Sequence, residues 1–140
     1  MKVQVIRSNR KTIGLEVRAD KSVILRAPAV DEISDVEWKS ILGEFTERVN
    51  HFCKIMEVTV GRITIRNQKT RWGSCSSKGN VNFNYQLYYM PRELMDYVII
   101  HELSHRRHMN HSAEFWQEVE KYCKTYRECR KKLRDYEIAP

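Results

Sequence analysis

No apolar run in this chain exceeds four residues, as in the segment Tyr97 to Ile100. A helix that crosses a bilayer needs about 20 such residues, so no membrane-spanning segment is expected. The basic start, with Lys2, Arg7, Arg10 and Lys11, holds no secretory apolar stretch, and a cytoplasmic location is the expectation. Cys-x-x-Cys pairs are missing too. Cys53, Cys75, Cys123 and Cys129 are expected to be reduced thiols, because 140 residues can bury a core without covalent staples. No repeat, low-complexity segment or linker interrupts the sequence, so residues 1–140 are read as one domain. Aspartate is scarce: the five aspartates are scattered, which argues against a magnesium site built from gathered carboxylates.

Positive charge is what the chain has in excess. Lysine and arginine outnumber aspartate and glutamate by 25 to 18, giving a net charge of +7, which suits an anionic substrate or a nucleic-acid partner. The densest basic cluster, Arg127, Arg130, Lys131, Lys132 and Arg134, falls on a helical pattern, where a solvated face is the commoner use.

Hydrophobic periodicity outlines the elements. Val3 and Val5, then Ile13, Leu15 and Val17, then Val23 and Leu25 alternate with polar residues and predict a three-stranded antiparallel meander that ends at Pro28. Asp31 is positioned to cap the next element, a long amphipathic helix marked by Trp38, Ile41, Leu42, Phe45, Val49, Phe52 and Met56. Ile63 and Ile65, and then Val81, Phe83, Tyr85 and Leu87, alternate as half-buried strands. Between them lies a polar loop from Lys69 to Gly79. It lacks the Gly-x-x-x-x-Gly-Lys-Ser/Thr spacing of a phosphate-binding loop, although a looser anion nest could form there. Pro91 suits the first turn of a further helix, and Phe115, Val119, Tyr122, Tyr126 and Leu133 trace one face of a final helix.

The helix that follows Pro91 carries His101-Glu102-Leu103-Ser104-His105. Side chains four apart on a helix stand one above the other, about 5 to 6 Å between Cβ atoms, so two imidazoles so placed can converge on one cation. Zinc takes histidine nitrogens at about 2.0 to 2.1 Å, and catalytic sites use three protein ligands with the fourth position left to water. Glu102 then flanks the ion, where its carboxylate can accept a proton from that water. Two histidines compete for the third place. His108 lies about 10 Å along the helix from His101 and is too far to share one ion with both others. His111 can swing back if the helix stops, and Asn110 tolerates the left-handed conformation of a helix end. Ser112 can then cap a new helix with Glu114 in its first turn. His101, His105 and His111 are therefore the expected ligands of one zinc or other divalent ion, and Glu102 the expected base.

The combination of Arg71-Trp72-Gly73-Ser74-Cys75-Ser76, Asn84, Leu87 and Pro91, His101-Glu102-x-x-His105, Asn110-His111-Ser112 and Phe115-Trp116 resembles the YgjP-like family of zinc metallopeptidases. The start, Arg7-Ser8-x-Arg10-Lys11-Thr12 through Arg26-Ala27-Pro28, is similar to that family's N-terminal strands, so the likeness covers nearly the whole chain. The resemblance implies a minimal α+β, zincin-like domain related to the SprT and WLM groups, with metal ligands at the positions argued above. One departure is the short stretch between the Arg-Ala-Pro segment and the long helix.

The leading expectation is metal-assisted peptide hydrolysis, with the substrate held as an added strand along Val81 to Leu87. Members of the family have also been read as nucleoside triphosphate pyrophosphatases. A UTP-type activity of that kind would use Lys69, Arg71 and Lys78 as substrate contacts. A third reading is a binding module with a structural metal and a basic helix for nucleic acid, or a nucleic-acid-associated protease. A purely structural site has no need of Glu102.

Overall fold

In the computed structural model, residues 3–8, 15–17 and 23–137 are described. Among the described residues, four helices accompany a three-stranded sheet, and a second sheet joins strands from before and after them. The end sheet comprises β1 (Val3–Ser8), β2 (Leu15–Val17), β3 (Val23–Pro28) and β7 (Tyr136–Glu137), in the order β2-β3-β1-β7. β1 runs parallel to β3, with Val3 opposite Val23, while β2 is antiparallel to β3. The predicted strands are thus present, but they do not make a meander. Alternation reports which face a strand presents and not which neighbour it pairs with. The part of the family resemblance that falls on Arg10, Lys11 and Thr12 lies outside the described residues.

The long helix α1 (Asp35–Met56) starts three residues later than the capping role expected of Asp31 would place it. Ser34 is the actual cap, accepting from the Glu37 amide at 3.1 Å, while Asp31 sits in a single 3-10 turn, Val30–Glu32. Ile41, Phe45, Val49, Phe52 and Met56 line the buried side of α1 at three- and four-residue intervals.

The central sheet consists of β4 (Ile63–Arg66), β5 (Gly73–Cys75) and β6 (Val81–Asn84). β6 lies in the middle, parallel to β4 and antiparallel to β5. β5 was not legible in the polar loop. Nor does the strand at Val81 continue to Leu87: the Asn84 side chain accepts from the Gln86 amide at 3.0 Å, and Tyr85–Tyr89 winds into a 3-10 helix. Gly79, at φ +86°, closes the β5–β6 turn in the left-handed region, where a Cβ would also collide with the Arg106 guanidinium.

α2 (Arg92–Ser104) follows Pro91 and is buried on most of its circumference, with Leu94, Val98, Ile99 and Leu103 in the core. Phe45 of α1 stacks on Phe83 of β6 at 5.7 Å, so α1 and the sheet share one apolar layer. A two-pronged ion pair from Arg48 to Asp96, at 3.0 and 2.8 Å, fixes α1 beside α2.

The expected final helix is two: α3 (Ala113–Tyr122) and α4 (Tyr126–Asp135). Their break has a packing reason. Trp116 and Tyr126 stack face to face at 5.4 Å. Residues ten apart on one straight helix would stand about 15 Å apart along its axis. No helix of the described residues is long and apolar enough to cross a membrane, and all four cysteines are free thiols.

Candidate metal centre

α2 ends within the His101-Glu102-x-x-His105 run. Beyond Ser104 the Arg106 and Arg107 amides bond three residues back, to the Leu103 and Ser104 carbonyls at 3.0 and 3.1 Å. This tightening ends the helix well before Asn110, which is not left-handed: among the described residues Glu57 alone has positive φ outside glycine. The side chains of Arg106 and Arg107 then fasten the corner. Arg106 Nε donates to the Thr59 carbonyl at 2.8 Å, and Arg107 donates to the carbonyls of Met56 and Glu57 at 3.0 and 3.2 Å. The latter two belong to the C-terminal end of α1, whose last carbonyls lack intrahelical partners. The chain returns at Ser112, whose hydroxyl accepts from the Phe115 amide at 3.3 Å and caps α3.

This corner brings His101, His105 and His111 together. Each offers one ring nitrogen, and the three nitrogens lie within 4.8 Å of one another. Nε2 of His101 and Nε2 of His111 are 3.2 Å apart. Nitrogens about 2.05 Å from a tetrahedral zinc stand roughly 3.3 Å from each other, so the spacing suits that ion. The other ring nitrogens of His105 and His101 have partners. Nδ1 of His105 donates to the His108 carbonyl at 3.0 Å; a carbonyl only accepts, so the proton sits on Nδ1 and the Nε2 lone pair is free. Nδ1 of His101 pairs with the Tyr97 hydroxyl at 3.2 Å, which orients the ring with Nε2 toward His111. His108, set aside as a ligand by its distance along the helix, contributes its backbone and not its ring.

Aromatic side chains from α3 form the wall behind the imidazoles. Phe115, fully buried, stacks on His105 at 4.5 Å and meets His101 and His111 edge-on at 5.0 Å. Trp116 lies nearly parallel to His111 at 5.9 Å. Burial, reinforced by the neighbouring imidazoles and Arg130, pushes His101 down to about 3. Burial lowers His105 as well. Neutral rings keep their lone pairs, which is the state a cation requires.

Glu102 is buried one residue on from His101, and burial pushes its carboxyl up to about 8 against the opposing pull of Arg71. Space for it exists because β5 carries a glycine opposite. A Cβ on Gly73 would stand 3.1 Å from both Cγ and Oε2 of Glu102 and 3.1 Å from the Asn82 carbonyl oxygen.

Two cavities flank the carboxylate. One, about 360 Å³, is bounded by Ser74, Cys75, Met109 and the three histidines; the other, about 320 Å³, by Trp72, Tyr97, Val98, Arg130, Leu133 and Arg134. Arg71, Gly73, His101 and Glu102 border both, so they form one cleft past the centre. Arg71 thus stands beside Glu102, whereas Lys69 and Lys78 are exposed and border neither cavity. The strand available along this cleft is β5, paired only to β6 among the described residues. The expected docking edge, Val81 to Leu87, is corrected by the topology: β6 has partners on both sides and no free ladder to offer. Tyr97, Arg130 and Arg134 were missed in the sequence as site residues. Tyr97 alone left a signal, standing four residues before His101 on the same helical face.

A family model described as YgjP-like, metallopeptidase domain, matches residues 29–136; it does not extend over the segment from Arg7 to Pro28 that resembles the family's N-terminal strands. Two solved structures are similar. The zymogen of the metallopeptidase abylysin from Pyrococcus abyssi has a TM-score of 0.58 and 26% identity over 64% of this chain and 90% of that one. The zymogen of jannalysin from Methanocaldococcus jannaschii has a TM-score of 0.57 and 25% identity over 64% of this chain and 92% of that one. No curated protein matches the chain.

Proposed function

Because the chain belongs to the YgjP-like family of metallopeptidase domains, we propose that it is a zinc-dependent peptidase whose general base is Glu102 and whose metal ligands are His101, His105 and His111. The observation that carries this reading is the convergence of three imidazoles beside a buried carboxyl in a cleft bordered by an edge strand. A zinc ion held there supplies Lewis acidity, lowering the pKa of a water to about 7 and polarising a carbonyl.

The remaining tasks fall to this chain's own groups. An extended peptide pairs with the free edge of β5, which lays its backbone across Glu102. Glu102 accepts a proton from the attacking water and returns it to the leaving amine. Its pKa suits both transfers: burial holds the free carboxyl near 8, and a dication held by the histidines would lower it from there. The His108 carbonyl fixes the tautomer of His105, and the Tyr97 hydroxyl orients the His101 ring. Phe115 and Trp116 exclude water from behind the rings.

The nucleotide reading draws less support. Among the described residues, the histidine set is the only group of three or more His, Cys, Asp or Glu side chains placed to share one cation. Magnesium phosphate chemistry uses carboxylates and substrate phosphates instead.

Glu102→Gln tests the proposal. It is expected to retain one zinc per chain and to lose about 10²- to 10⁴-fold in peptide hydrolysis. Undiminished hydrolysis by the zinc-loaded variant refutes the role of Glu102.

A further inference from the structure

We propose that the cavity bounded by Arg71, Arg130 and Arg134 is a carboxylate pocket. It selects peptides that carry a carboxylate next to the bond presented to Glu102, either an acidic side chain or the chain-terminal group. This rests on the peptidase reading above and names its substrate class.

Three arginines from two separate segments border this cavity. Arg71 lies on the loop before β5, and Arg130 and Arg134 are one turn apart on α4. None of the three forms an ion pair within 4.0 Å among the described residues, whereas Arg48, Arg92, Arg107 and Lys132 all do. Glu102, buried and raised in pKa, is the one carboxyl that borders the cavity, so the three like charges repel one another and an entering anion relieves that repulsion. Arg130 is also held in a receptive pose. Its guanidinium lies 4.3 Å over the Trp116 ring, and a stacked guanidinium keeps its in-plane N–H donors available for a forked contact with a carboxylate.

The rest of the lining says what the carboxylate is attached to. Tyr97, Val98, Trp72 and Leu133 give the cavity an apolar wall, which fits the aliphatic or aromatic body of an amino acid better than a polyphosphate. At about 320 Å³ the space is at the low end of ligand pockets, roughly 300 to 1,000 Å³, and takes one or two residues. His101 and Glu102 border it directly, so a side chain seated there belongs to a residue adjoining the bond at the metal centre. Arg71 and Arg130 already act electrostatically on Glu102 and His101, so their charge reaches the reacting region.

The test compares kcat/KM of the full, zinc-loaded chain on peptides identical except for Glu, Gln or Lys on either side of the cleaved bond, with a matched pair bearing a free or an amidated C terminus. The expected result is a preference of about tenfold or more for the carboxylate member. A Glu-over-Gln preference assigns the side chain, and an acid-over-amide preference assigns the terminus. Arg134→Glu, at an exposed side chain with no ion-pair partner among the described residues, is expected to turn the ranking over in favour of Lys. Equal rates for Glu, Gln and Lys peptides and for acid and amide in the wild type, or an unaltered ranking in Arg134→Glu, overturn the pocket. If no peptide is cleaved, the peptidase reading fails separately, and equilibrium binding of the same peptides to zinc-loaded Glu102→Gln protein decides. Tighter binding of the carboxylate member that Arg134→Glu reverses supports the pocket. Equal binding of all members, or binding of UTP alone, overturns it.

Discussion

Gly73→Ala probes the coupling between the edge strand and the proposed base with the smallest possible change. The backbone there tolerates alanine, so any effect is steric. The added methyl would sit 3.1 Å from Cγ and Oε2 of Glu102 and from the Asn82 carbonyl oxygen, about 0.3 Å inside ordinary contact on all three counts. The Asn82 carbonyl is held in the β5–β6 pair, opposite Ser74, and yields little. The carboxylate must give way. Overpacking of this kind destabilises by about 1 to 3 kcal/mol. A misplacement near 1 Å costs about 10²-fold in rate, so a shift of a few tenths predicts a loss of roughly tenfold in kcat. Zinc content by elemental analysis should remain that of the wild type, because the histidines are untouched. Gly43→Ala is the control. On α1, with nothing within 4 Å of its added methyl, it should raise stability by about 0.5 to 1 kcal/mol and leave kcat unchanged. A Gly73→Ala protein with wild-type kcat and full zinc would refute the claim that this glycine makes room for the working position of Glu102.

Tyr97→Phe removes the hydroxyl beside Nδ1 of His101 and should weaken zinc affinity about 10- to 100-fold, measured by competition with a chelating dye. Unchanged affinity would show that the hydroxyl does not orient the ring. Ser112→Ala deletes the cap of α3 next to His111 and should lower stability by about 0.5 to 2 kcal/mol in chemical denaturation, with a smaller loss in zinc affinity. In metal-free protein, stability should depend on pH in two opposed windows. Glu102, raised from 4.5 to about 8, adds no penalty below pH 4.5 and a growing one, about 1.4 kcal/mol per unit, as pH rises to 8. His101, lowered from 6.5 to about 3, adds none above pH 6.5 and a growing one as pH falls toward 3. The two slopes cancel between pH 4.5 and 6.5, so chelator-treated protein should be most stable there and lose about 2 kcal/mol by pH 8. Glu102→Gln should abolish the alkaline loss, and melting curves that show it intact would contradict the burial argument.

The legible parts of the molecule were those set by local spacing. The stripe from Ile41 to Met56 announced α1, and the intervals between His101, His105 and His111 singled out the three imidazoles that the fold brings together. What the sequence hid depends on partners distant along the chain. Parallel pairing of β1 with β3 leaves no mark in either strand's alternation. β5 is three residues, Gly-Ser-Cys, with no apolar alternation to report it, and it is a strand because β6 offers a ladder. The α3–α4 break is set by the Trp116–Tyr126 stack, and the run of apolar positions reads equally well as one helix. Arg130 and Arg134 looked like a solvated basic face until α4 was seen to border the cavity beside His101.

Trp116 touches the centre without supplying a ligand atom, its indole lying almost flat against His111 and within 5.6 Å of His101. Such a ring is a built-in optical gauge. Any ion that captures the lone pairs of those imidazoles changes the electronic surroundings of the fluorophore stacked on them, so loading and exchange can be followed by emission in unlabelled protein.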